Sequence, residues 1–177
     1  MLRFLYSYIT NPKSVIDTHT TQQLGLPSLI ILGLVAASSL ATTPTSSIAI
    51  SFLTQFLLVG CLLIIQSIIT DFIAQLTGNP ANSLKLFQLM TLSLLPFLAE
   101  PALNILVSIP APLIQFLIKI LSFSLFIYSG YLQLISVKSL YQVSAAKALL
   151  IYTLPVILIL LSIAAVIIAM AFQVGFL

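Results

Sequence analysis

Apolar residues fill this chain in runs of about 20, the length a helix needs to cross a hydrocarbon layer, and polar positions gather in the breaks between them. The runs cover residues 24–41, 48–70, 84–109, 113–136 and 148–172. They are apolar on every face and longer than the alternating stretches of roughly ten residues that build a membrane barrel. The pattern predicts an all-α, polytopic membrane helix bundle with five transmembrane helices.

Each break carries its own stop signals. Pro44 cannot continue a helix and sits among the hydroxyls of Thr42 to Ser47. Gly78 is a natural C-terminal stop for the second run, which continues past Asp71 towards Leu76, and Ser83 is a candidate cap for the third. Pro110 and Pro112 mark the turn before the fourth run, and residues 137–147 connect the fourth to the fifth.

Residues 1–23 read differently, as a cytoplasmic or interfacial segment ahead of a membrane domain spanning 24–177. Phe4, Leu5, Tyr8 and Ile9 share an apolar face that suits a membrane surface, with Arg3 and Ser7 towards water. Asn11 and Pro12 form a helix start, cap followed by first helical residue, so a short amphipathic helix is expected through Asp17. His19 follows in a polar approach to the bilayer and reads as a solvated tail histidine, with no ligand set at metal spacing around it.

Composition strengthens the membrane reading. Only six Lys or Arg, three Asp or Glu and one His occur in 177 residues, too few to cover a soluble surface, and the mean hydropathy is +1.24. Five of the six cations fall in segments that five crossings put on one side: Arg3, Lys13, Lys85, Lys138 and Lys147. The positive-inside rule then gives an N-in, C-out orientation. No basic patch with interleaved aromatics suggests a nucleic-acid partner. Cys61 lies mid-span with no second cysteine to pair with. No Ser-His-Asp set, HExxH, GxSxG or phosphate-binding loop occurs, so an enzyme is the least favoured class, and no metal or cofactor is expected.

The charges inside the runs are the candidate chemistry. Counted from the turn near Ala111, Glu100 lies eleven residues back and Lys119 eight forward, a difference in depth of about 4.5 Å. Asn104 and Gln115 lie one turn outward on the same faces, which makes Glu100, Asn104, Gln115 and Lys119 a polar seam between spans 3 and 4. Such a seam is either an interhelical clamp or a path for a substrate or proton. Pro96 and Pro101 interrupt span 3, as a simple kink or as a discontinuous helix framing a site. Asp71, near Lys85 across a short loop, reads as a loop anchor. Lys138, Ser144 and Lys147 lie in the most basic connection.

Four short segments carry a family likeness: Thr10-Asn11-Pro12-Lys13, Ser93-Leu94-Leu95-Pro96, Tyr128-Ser129-Gly130-Tyr131-Leu132 and Ser144-Ala145-Ala146-Lys147-Ala148-Leu149. In order and spacing the chain resembles the Yip1 domain family of five-span membrane proteins. For eukaryotic members the resemblance implies trafficking between endoplasmic reticulum and Golgi with Rab-type GTPases, and it makes Lys138, Ser144 and Lys147 a candidate docking loop for a cytoplasmic partner. The short segment before the first span looks more like the bacterial relatives, which places the protein in a bacterial cell membrane, with a Golgi or endoplasmic-reticulum membrane as the alternative. The expected function is non-enzymatic, organising lipids, a membrane-protein partner or a second copy of the chain. The alternative is a small transporter or channel subunit using the Glu100–Lys119 seam.

Overall fold

The computed structural model describes residues 2–18, 21–40, 48–107 and 111–175, with side chains for all of these except 2–5, 13, 17–18, 21–23, 39, 158–160, 162–163 and 166–175. Every described element is helical. They are α1 (Leu2–Thr10), α2 (Pro12–Thr18), α3 (Thr21–Leu40), α4 (Ile48–Leu76), α5 (Ser83–Leu92), a 3-10 turn (Leu95–Ala99), α6 (Glu100–Val107), α7 (Pro112–Tyr141) and α8 (Ala145–Gly175). The expected turn at 42–47, residues 108–110 and His19 lie outside the described residues, as do the side chains of Arg3, Lys13 and Asp17.

Among the described residues, three stretches are long and apolar enough to cross a membrane: Ile48–Leu76, Ser83–Leu106 and Pro112–Tyr141, of 29, 24 and 30 residues. Shorter apolar stretches, Leu24–Ser38 and Ala145–Ile157, lie within α3 and α8. The outer faces are as apolar as the core. Leu53, Leu57, Leu62 and Phe72 of α4 and Phe116, Phe123 and Phe126 of α7 are all more than half exposed, far beyond the apolar patches a water-soluble monomer presents.

α5 is the centre of the bundle. It packs against α3, α4 and α7, and Leu86 and every residue from Gln88 to Ser93 are buried. One flank, through Leu86 and Met90, meets Leu63 and Ile73 of α4, Val137 of α7 and Ile151 of α8. The other, through Leu89 and Leu92, meets Tyr8, Ile16 of α2, Ile31 of α3 and Leu132 of α7.

The helix ends follow local rules in most places. α4 closes on Gly78 at φ 88°, with the Asn79 amide donating to Ala74 O at 3.2 Å and the Gly78 amide to Gln75 O at 2.8 Å. This is the double hydrogen bond of a glycine-terminated helix. Pro12 opens α2, as its fixed φ and missing N–H favour. Ser83 is not the cap of α5: Asn82 holds that position, without a side-chain hydrogen bond, and Ser83 is the first helical residue. Residues 137–147 are mostly helix rather than loop. α7 runs to Tyr141 and closes through left-handed Gln142, and α8 begins at Ala145, so the connection is Gln142, Val143 and Ser144.

The third span is broken outright around Pro96. α5 ends at Leu92, Ser93 and Leu94 turn, and a 3-10 turn with Pro96 in its first positions leads into α6. Pro96 has no N–H to give to Ser93 O, three residues back, so that carbonyl would be left bare in an apolar interior. Ser129 of α7 supplies the missing donor, its hydroxyl reaching Ser93 O at 2.8 Å. A neighbouring helix thus satisfies the broken backbone, the condition on which such breaks survive in lipid.

The N-terminal segment departs most from expectation. Tyr8 does not lie on a surface: it is 0% exposed, with its hydroxyl 3.1 Å from Leu89 O, from Ser93 Oγ and from Ser136 Oγ. An apolar ring with a polar tip satisfies an interior polar node better than an interface when such a node lies within reach. Burial raises the phenol above its ordinary pKa, so the hydroxyl keeps its proton. On the next residue, Ile9 O accepts from Tyr128 Oη at 2.7 Å. α1 and α2 are therefore a structural part of the bundle.

Removing this anchor has a graded cost. Tyr8→Phe, which loses the hydroxyl alone, is expected to lower unfolding stability in detergent by about 1 kcal/mol, and Tyr8→Ala by about 3–5 kcal/mol. A denaturant titration followed by circular dichroism measures both. An alanine variant as stable as the parent would remove Tyr8 from the core.

Candidate functional site

The turn between α4 and α5, the turn between α7 and α8, and α2 meet at one end of the bundle, and three lysines meet there with them. Two are used to close helices. Lys147, in the first turn of α8, donates to Thr77 O at 3.0 Å just beyond α4, and Lys85 of α5 donates to Ile16 O at 3.1 Å in the last turn of α2. Carbonyls at helix C-termini have no intrahelical partner and carry partial negative charge, so a lysine head is a favourable cap there. Ser144 Oγ meets the Lys147 amide at a long 3.4 Å. Of the docking residues proposed from sequence, Lys147 is thus engaged within the protein, while Lys138 in the last turn of α7 is exposed.

Asp71 holds the same end together. It is 3% exposed, and its Oδ1 accepts from the Tyr141 hydroxyl and from the Asn82 amide at 2.9 Å, while Oδ2 accepts from Gln75 Nε2 at 2.9 Å. One carboxylate ties α4 to the start of α5 and the end of α7. Lys85 points to α2 instead of Asp71, so the anchor rests on neutral donors. Three donors on one carboxylate are what burial of a charge requires.

A second set of polar groups climbs the inner face of α7. Ser129, Gln133 and Ser136 follow at i, i+4 and i+7, and all three are buried. Gln133 Oε1 accepts from Gln66 Nε2 of α4 at 3.2 Å and from the Tyr152 hydroxyl of α8 at 2.8 Å. Ser136 joins the Tyr8 node and also donates to Leu132 O at 2.8 Å. The spacing of these residues is present in the sequence, but uncharged serines and glutamines within apolar runs carry a weaker signal than the charges of Glu100 and Lys119. Thr70 Oγ1 and Gln88 Oε1 are the buried side-chain oxygens without a partner among the described residues.

The expected seam assembles only in part. Glu100 and Asn104 line a cleft of about 340 Å³ with Val35 and Ser38 of α3 and Val59 of α4. Among the described residues no ion pair joins Glu100 to Lys119. Lys119 on α7 and Glu100 at the start of α6 are both exposed, Glu100 beside a cleft shared with α3 and α4. Equal depth alone does not pair two side chains, since the rotation of each helix about its axis decides which faces meet. Pro101 sits in the first turn of α6, where a missing N–H costs little.

A cleft of about 880 Å³ opens at the basic end, between α2, α5 and the turn joining α7 to α8. Lys85, Lys138, Asn82 and Ser139 supply its polar wall, and Leu134, Ile135 and Tyr131 its apolar one. Among the described residues no three of His, Cys, Asp or Glu gather as a metal site. No protein-family model, curated protein or solved structure matches the chain.

Two mutational series separate these features. Asp71→Ala and Tyr141→Phe are expected to couple, the double variant falling about 1.5–3 kcal/mol short of the sum of the singles in unfolding free energy. Strict additivity would mean the hydrogen bond contributes nothing. For Glu100 and Lys119 the expectation is the reverse: exchanging the charges, Glu100→Lys with Lys119→Glu, restores no stability lost in either single variant. Recovery in the exchanged protein would show that the two side chains pair.

Proposed function

We propose that this chain is a five-span integral membrane protein, N-terminus in the cytoplasm, with a non-enzymatic role in organising the bilayer or a membrane-protein partner. The observation that carries this reading is the use of the interior polar groups. Tyr8, Asp71, Gln66, Ser93, Ser129, Gln133, Ser136, Tyr141 and Tyr152 are each engaged in helix-to-helix hydrogen bonds, which fits a rigid scaffold. A permeation path would instead need polar groups facing a continuous space. Glu100, the charge a transporter reading depends on, shares its small cleft with Ser38, Asn104 and otherwise apolar side chains.

The span count extends the three long apolar helices by α3 and α8. α3 has 20 residues and α8 has 31, enough at about 1.5 Å per residue to cross a 30 Å core. The orientation follows from Lys85, Lys138 and Lys147, which share one end of the bundle. The likeness to the Yip1 domain family in the four segments quoted above supports a trafficking-like or membrane-organising role, in the cell membrane of a bacterium.

Two measurements test the proposal. Proteoliposomes should show ion and solute flux equal to empty vesicles; flux abolished by Glu100→Gln would replace the scaffold with a transporter. Cys61, exposed halfway along α4, should resist a membrane-impermeant maleimide in intact vesicles and react once the bilayer is dissolved. Rapid labelling in intact vesicles from either side would contradict the placement of α4 across the membrane.

A further inference from the structure

The cleft at the basic end has a shape and chemistry that the scaffold role leaves unused. Along α7, Tyr131, Leu134, Ile135 and Lys138 stand at i, i+3, i+4 and i+7, one continuous stripe that lines the cleft. Three apolar or aromatic side chains thus lead down the helix to a lysine at its end. Lys85 lines the same cleft from α5, with one N–H given to Ile16 O and two remaining. Asn82, Ser139 and Gln142 add neutral donors around the two cations, and no described lining residue is acidic.

We propose that this cleft binds a phospholipid with an anionic headgroup, the phosphate at Lys85 and Lys138 and an acyl chain along Tyr131, Leu134 and Ile135. The order of the stripe argues for a lipid over a free anion. A phosphate ion would use the lysine end and leave the apolar wall bare, whereas a phospholipid matches both halves in sequence. Basic clefts between transmembrane helices on the cytoplasmic side favour anionic headgroups for this electrostatic reason. The volume, about 880 Å³, accommodates a headgroup with the upper part of its chains. The assignment rests on the reading that the α7 stripe faces lipid at a membrane boundary.

The test uses the full-length protein in detergent micelles with fluorescent phosphatidylglycerol and phosphatidylcholine. Phosphatidylglycerol should bind more tightly, and Lys138→Gln, at an exposed helix position, should weaken it about fivefold and weaken phosphatidylcholine, whose choline offsets its phosphate, by less, so that the preference shrinks. Lys85→Gln should act in the same direction. Salt at ~1 M, where the screening length is about 3 Å, should erase the difference between the two lipids. Ile135→Trp, which fills the apolar wall, should weaken both lipids without changing charge. Equal binding of the two lipids by the parent, or Lys138→Gln with undiminished preference, would overturn the assignment. So would full displacement of phosphatidylglycerol by inorganic phosphate, which would make the cleft an anion site. Retention of each variant in carbonate-washed membranes reports insertion separately, so loss of insertion would count against the membrane reading and loss of lipid preference only against the cleft.

Discussion

A transmembrane helix that breaks must find new hydrogen-bond partners inside the protein, and most of this architecture answers that constraint. The chain interrupts its central span at Pro96, beside the most buried helix of the bundle. Ser129 covers the carbonyl the proline leaves open, and Tyr8 enters from the N-terminal helix to meet Leu89, Ser93 and Ser136 around the same break. With little hydrophobic drive between helices in lipid, such contacts and close packing decide which helices associate. The N-terminal segment is held in place by the same node.

The basic end obeys a related rule. Helix C-termini expose carbonyls, and Lys85 and Lys147 close two of them while Asp71 gathers donors from α4, the start of α5 and the end of α7. Two of the cations gathered at this end are thus structural caps. Lys138 is the exception, exposed beside a cleft whose other wall is apolar. That division of labour directs attention to Lys138 rather than Lys147 for any encounter outside the bundle.

Much of this was legible in the sequence because the signals were local. Runs of apolar residues gave the long helices, Gly78 its helix end, Pro12 its helix start, and Asp71 its role as a loop anchor. The failures were of tertiary origin. Tyr8 sits on an amphipathic pattern that suits a membrane surface equally well, and only the presence of Ser93 and Ser136 nearby draws it inside. Residues 137–147 looked like a loop because they were polar, yet polarity at the end of a long helix is also what an interface requires. Rise per residue gives Glu100 and Lys119 a similar depth, while their facing depends on helix rotation, which rise alone does not give.

The claim that carries the account is that Tyr8 and the α7 serines share one energetic node around the broken span. A double-mutant cycle between Tyr8→Phe and Ser136→Ala, read as unfolding free energy in bicelles, tests it directly. A coupling of about 1 kcal/mol or more is the predicted result. Additive effects, with α5 and the 3-10 turn equally protected from hydrogen exchange in all four proteins, would contradict it.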